Sequence, residues 1–161
     1  MNPSDNCTHL LLPRPICEAT ILPVAEHRAD QELSEVYRDL KATFGVPWVG
    51  VITQAVAHYR PFFVEAWRRF APSAKTHFFE RASDDIRIRS WELIAQSFVI
   101  EGQTGRLQEM GYSVREIDQI RAVLDIFDYG NPKYLIFATA LKEGLLSGRT
   151  SSGVAGAARC S

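Results

Sequence analysis

Asp30-Gln31-Glu32-Leu33-Ser34-Glu35-Val36-Tyr37-Arg38-Asp39-Leu40-Lys41-Ala42-Thr43-Phe44-Gly45 is the stretch on which the fold class turns. Leu33, Val36, Tyr37, Leu40 and Phe44 recur at i, i+3, i+4, i+7 and i+11, the spacing that gathers apolar side chains on one face of an α-helix. Asp30 stands where an N-cap belongs, and Gly45 followed by Pro47 supplies two stop signals. Downstream, Trp48, Val51, Ile52, Ala55, Val56 and Tyr59 repeat the pattern until Pro61 interrupts it. Phe62, Phe63, Ala66, Trp67 and Phe70 predict a third helix ending before Pro72, with Ser73 capping a fourth that reaches Ser97.

Leu107 and Met110 mark a short fifth helix that stops at Gly111. Ser113-Val114-Arg115-Glu116 is a capping box, and the helix it opens is expected to bury Ile117, Ile120, Leu124 and Phe127. Asp128-Tyr129-Gly130-Asn131-Pro132 is expected to break the chain, with Asn131 capping a final helix and Pro132 in its first turn. No segment alternates with period two. The expectation is an all-α protein of about six to seven helices.

Every aromatic residue of the 161-residue chain lies between Tyr37 and Phe137. Aromatic side chains supply much of a core's buried area, so the compact body is expected over residues 30–146. Residues 1–29, which carry Pro3, Pro13, Pro15 and Pro23, read as an irregular arm. Residues 147–161 are rich in Ser, Gly and Ala, without an acidic or large apolar group after Leu146 except Val154, and read as a disordered tail.

Composition excludes several classes of function. Eighteen Lys and Arg against 19 Asp and Glu give a net charge of −1, so the basic excess needed to displace counterions from nucleic acid is missing. The longest apolar run, Tyr134 to Leu141, falls short of the ~18 residues of a membrane span. Asp5 and Pro13 spoil a secretory signal, and the three cysteines suggest no disulfide framework, so a cytoplasmic setting is expected. Cys7, His9 and Cys17 lack a CxxC pair and a fourth ligand, and no metal site is assigned to them. Serine-hydrolase, phosphate-loop and zincin signatures are missing too.

Two segments exceed simple helix punctuation: Gly45-Val46-Pro47-Trp48-Val49-Gly50 and Phe127-Asp128-Tyr129-Gly130-Asn131-Pro132-Lys133-Tyr134-Leu135. Together with Ala66-Trp67-Arg68-Arg69 and the run Val114 to Leu124, they resemble the first half of the group I 2-haloacid dehalogenases, also called halocarboxylic acid dehydrogenase DehI. The resemblance implies two related helical repeats packed as an internal pseudo-dimer, with the active site between them. The implied reaction is hydrolytic loss of halide from C2 of a 2-haloalkanoic acid with inversion. An aspartate base activates the attacking water, without a covalent ester, metal or organic cofactor.

Carried onto this sequence, Asn131 resembles the asparagine that positions the attacking water, and Trp48 a tryptophan of the apolar pocket. Val51 stands where better-known members have phenylalanine, and Ile52 and Tyr129 are taken with it as substrate-binding candidates. The family's catalytic aspartate belongs to the second repeat, and this chain holds one copy of each motif. Asp128 is the only carboxylate beside the specific segment and the local candidate for a substitute base.

Two expectations follow. Either the chain is a half of the tandem enzyme, truncated or frameshifted, or two copies associate as a homodimer to rebuild the interface, with a small 2-haloacid and water as the partners of the site. A non-enzymatic helical module, whose uncovered apolar face pairs with itself or another protein, is the alternative. In the bland reading Asn131 is only a helix cap, Trp48 only core, Asp128 only a turn residue, and Arg68, Arg69, Arg87 and Arg89 only a solvated face.

Overall fold

In a computed structural model the chain is described over residues 21–99 and 101–150, and within those residues it forms six α-helices and no strand. They are α1 (Gln31–Phe44), α2 (Val51–Val56), α3 (Arg60–Ala74), α4 (His77–Ser97), α5 (Thr104–Glu109) and α6 (Val114–Thr150). Cys7, His9 and Cys17, most of the expected arm and the tail beyond Thr150 lie outside the described residues. The described end of the arm is not detached from the body. Val24 donates its N–H to the Gln54 carbonyl and accepts the Tyr37 hydroxyl at 2.7 Å, and Val24 and Ala29 pack on the core.

The helix α1 forms for the reasons its sequence gives. Asp30 Oδ1 accepts from the Leu33 N–H at 3.1 Å, a cap worth about 1 kcal/mol. At the other end Gly45 turns left-handed, at φ 68° and ψ 35°, and returns its N–H to the Lys41 carbonyl. Leu33, Tyr37, Leu40 and Phe44 are all buried. Phe44 is the hub of the core: its ring meets Trp67, Phe79, Tyr134 and Phe137 at centroid distances of 5.2 to 6.4 Å. Those partners come from α3, α4 and α6, so one aromatic cluster joins α1 to the three longest other helices.

Two prolines, Pro72 and Pro132, lie inside helices at points where the sequence predicts breaks. Helix α3 continues through Pro72 to Ala74, and Thr76, not Ser73, caps α4 by accepting the Phe79 N–H. Ala71 and Ala74 on either side of Pro72 are buried, and their packing holds the last turn. The expected stop at Asp128–Pro132 is likewise overturned: α6 runs unbroken from Val114 to Thr150. Asn131 is therefore not an N-cap, and the two expected last helices are one. A proline in a helix interior costs about 3 kcal/mol. Lys133, Tyr134 and Phe137, buried just after it, pack against the core and offset that cost.

Three further expectations change. The second helix is shorter than expected, beginning at Val51, so Trp48 lies in the connection before it. The boundary placed after Leu146 falls inside α6. Of the four apolar residues expected to be buried by the capping-box helix, only Ile117 is; Ile120, Leu124 and Phe127 are exposed. The capping box itself forms, Ser113 N–H reaching Glu116 Oε2 at 2.8 Å and Glu116 N–H returning to Ser113 Oγ. The helix is amphipathic as read, but beyond Ile117 the described residues leave most of its apolar stripe uncovered.

Candidate functional site

The two segments singled out in the sequence meet face to face, through reciprocal pairing of glycines with aromatic rings. A Cβ on Gly130 would sit 2.5 Å from the Trp48 indole, and one on Gly50 would sit 2.8 Å from the Tyr134 ring. Each ring therefore occupies the space that a side chain on the opposite segment would fill. Tyr134 also donates its hydroxyl to the Trp48 carbonyl at 2.6 Å. Burial pushes this phenol up to about 12, with the Glu26 carboxylate adding to the rise, so it remains a neutral donor.

Trp48 is half-buried, its ring centroid 4.5 Å from that of Phe127 and 5.9 Å from that of Tyr134. Phe127, Gly130, Asn131 and Tyr134 follow at i, i+3, i+4 and i+7, so they share one face of α6. Trp48 thus lies along the stripe that carries Asn131. The Asn131 side chain is exposed and makes no hydrogen bond to another described residue. Among those residues neither its carbonyl nor its amide has a partner, and apolar Phe127 and Leu135 flank it one turn away on either side. Val51 and Ile52, in the first turn of α2, are exposed too, and α2 packs on α6.

Asp128 stands one turn before Asn131 on the neighbouring stripe of α6. Its Oδ1 accepts from the Trp91 indole at 3.1 Å, and its Oδ2 faces the Arg87 guanidinium at 3.9 Å. Arg87 lies over the Trp91 ring at 5.0 Å and donates to Asp84. The structure thus ties Asp128 to α4. Tyr129 lies apart from Asn131, because two residues at 3.6 per turn fall on opposite faces of a helix. Its hydroxyl instead accepts from Lys133 at 2.6 Å and stands over Gly45.

Sequence reading passes over two residues of this site. Phe127, taken as helix core, is an open wall beside Trp48. Lys133, the most deeply buried charged side chain among the described residues at 1% exposure, has no role in the sequence reading. The i, i+4 spacing of Tyr129 and Lys133 was the available signal for their pairing. Arg68 and Arg69 pair with Glu65 at the surface, as a solvated face would.

Residues 47–161 match the family described as halocarboxylic acid dehydrogenase DehI, a span that takes in the first segment from Pro47 onward and the whole of the second. The chain belongs to this family. It is 86% identical over 160 residues to an (R)-2-haloacid dehalogenase of Pseudomonas putida, covering 99% of this chain and 53% of that protein. An (R)-2-haloacid dehalogenase of Rhizobium sp. (strain NHG3) is 38% identical over 144 residues, 88% of this chain and 56% of that one. The structure of a D-2-haloacid dehalogenase in complex with L-LA superposes with a TM-score of 0.82 at 86% identity, covering 92% of this chain and 51% of that chain. The chain spans about half the length of the DehI-family relatives it matches. No helix among the described residues is long and apolar enough to cross a membrane.

Proposed function

We propose that this chain supplies the first half of a 2-haloacid dehalogenase site, which a second helical repeat completes. The observation that carries the reading is Asn131: an amide without a partner among the described residues, set in a largely uncovered apolar stripe with the Trp48 indole alongside. Related structures support the substrate class. One holds a mutant D-2-haloacid dehalogenase with D-2-CPA and another holds the dehalogenase with L-LA. A D-2-haloacid and an L-2-hydroxy acid differ by replacement of halide with hydroxyl and inversion at C2.

In this reading Asn131 accepts one proton of a water through its carbonyl and donates its amide N–H to the water oxygen. That fixes a lone pair toward C2. A carboxylate base takes the other proton as the water oxygen attacks, the carbon–halogen bond breaks, and halide leaves from the opposite side. A 2-haloacid anion and water become a 2-hydroxy acid anion, halide and a proton. Trp48, Phe127 and Ile52 wall the site with apolar surface, and Val51 leaves room beside them. Asp128 is the base this chain can offer, but both its oxygens already face donors on α4, so a base from the second repeat fits the free side of Asn131 better.

Asn131→Ala tests the assignment. Halide release from 2-chloropropionate, assayed with the second repeat present, is expected to fall by at least ~100-fold while the helical circular-dichroism signal is kept. Unchanged release would remove Asn131 from the mechanism. The exposed stripe on α4 and α6 favours a second reading, a helical module that associates without catalysis. Light scattering alongside the halide assay separates them: an associated but inactive protein supports the module.

A further inference from the structure

Lys133 is an unusual core residue. Its side chain is buried at 1% exposure, yet each of its three ammonium donors has an acceptor. Nζ reaches the Phe44 carbonyl at 3.0 Å, Glu80 Oε1 at 2.9 Å and the Tyr129 hydroxyl at 2.6 Å. These acceptors lie on α1, α4 and α6, so a single cation ties three helices. The Phe44 carbonyl is at the C-terminal, partially negative end of α1, where a cation is favoured. A buried charge without partners would be costly, and this one has all of them.

Its place in the chain gives that network a purpose beyond cohesion. Pro132 immediately precedes it, and a proline inside a helix removes the backbone hydrogen bond to the carbonyl four residues earlier, here that of Asp128. The helix is weakest against bending at this point. Asn131 sits on that weak point, on the opposite face from Tyr129. A catalytic amide must hold its place to within about half an ångström to orient a water.

We infer that Lys133 is a positioning residue, whose ammonium pins α6 against α1 and α4 at the proline and so fixes the backbone from which Asn131 projects. It touches neither water nor substrate. The inference rests on the reading of Asn131 as the water-orienting group, but its mechanical part stands apart from that reading and is measured separately.

The test is Lys133→Met in the full chain, a substitution that keeps the length of the stem and removes the three donors, with Tyr129→Phe as a milder variant that removes one acceptor. Hydrogen exchange is followed by mass spectrometry, and halide release is measured with the second repeat present. Expected is at least about tenfold faster exchange over residues 129–136 with α1 and α3 at wild-type protection, and a smaller change in the same segment for Tyr129→Phe. The companion expectation is a fall in kcat with KM unchanged, as for a group that acts only on transition-state geometry. Unchanged exchange over 129–136, or equal loss of protection throughout the chain, overturns the inference, and so does a rise in KM at constant kcat. If Lys133→Met does not fold, the same exchange criteria are applied to Tyr129→Phe alone. If Asn131→Ala leaves halide release intact, the water-orienting reading fails, and the exchange result still decides whether Lys133 pins the helix.

Discussion

Phe44 and Leu124 are both large apolar residues on the stripe of an amphipathic helix, and they meet opposite fates. Phe44 is fully buried among four aromatic rings, whereas Leu124 is 61% exposed. The same division runs through the molecule. The block formed by α1, α3, the start of α4 and the second half of α6 encloses the aromatic cluster. The rest of α4 and the first half of α6 leave Ile88, Trp91, Ile94, Val123, Leu124 and Phe127 open. Pattern alone therefore decides that a face is apolar, and a facing layer decides whether it is core. Asn131 lies where the two regions join, the position that the proposed shared site requires of it.

Substitutions can break this comparison. Phe44→Ala should cost about 3–5 kcal/mol by chemical denaturation, because it empties the centre of a close-packed cluster. A loss under ~1 kcal/mol would show that the aromatic cluster is not the core. Gly130→Ala should cost about 1–3 kcal/mol and alter the near-ultraviolet dichroism of tryptophan, since the new Cβ meets the Trp48 indole. A neutral result would mean that the paired segments are not in contact.

A pH titration sharpens the same contrast. Tyr37 and Tyr134 lie in the packed block, and burial, to which the Glu26 carboxylate adds, pushes each up to about 12 from an ordinary 10.0, for Tyr134 against a backbone hydrogen bond at Gly50 that lowers it. The folded form then holds protons that the unfolded chain gives up. Their stabilising contribution is complete below pH 10 and is lost as pH rises through 12, by on the order of 2 kcal/mol for each. Denaturation midpoints measured from pH 9 upward should fall in that window. A flat profile would place both phenols in water. The smallest effect is expected on the open side, where Leu124→Ala in the isolated chain should change stability by no more than about 0.5 kcal/mol. A cost above ~2 kcal/mol there would mean that the stripe is already covered.

Much of the fold was legible because its signals are local. Asp30 caps α1, Gly45 ends it, and the Ser113–Glu116 box opens α6, each through neighbours a few residues apart. Pro72 and Pro132 misled for the complementary reason. A proline marks a local preference, and the helices run through both because distant partners hold the residues beside them. The stripe of Ile120, Leu124 and Phe127 was readable as apolar, but burial is a property of two surfaces, and the described residues place no full facing layer on it. At the site, the likeness of Trp48 and Asn131 to family positions drew attention to segments that do meet. Lys133 escaped notice because a lysine on a helix ordinarily belongs to the surface, and only the convergence of α1 and α4 on it supplies three acceptors.

Complementation with a second repeat is the most direct measurement of the proposed shared site. The half of the Pseudomonas putida relative that lies beyond the matched region is produced separately and mixed with this chain, and halide release from (R)-2-chloropropionate is followed. A shared site predicts release from the mixture, little from either half alone, and none when the chain carries Asn131→Ala. Equal release by this chain alone, as a monomer, would contradict it.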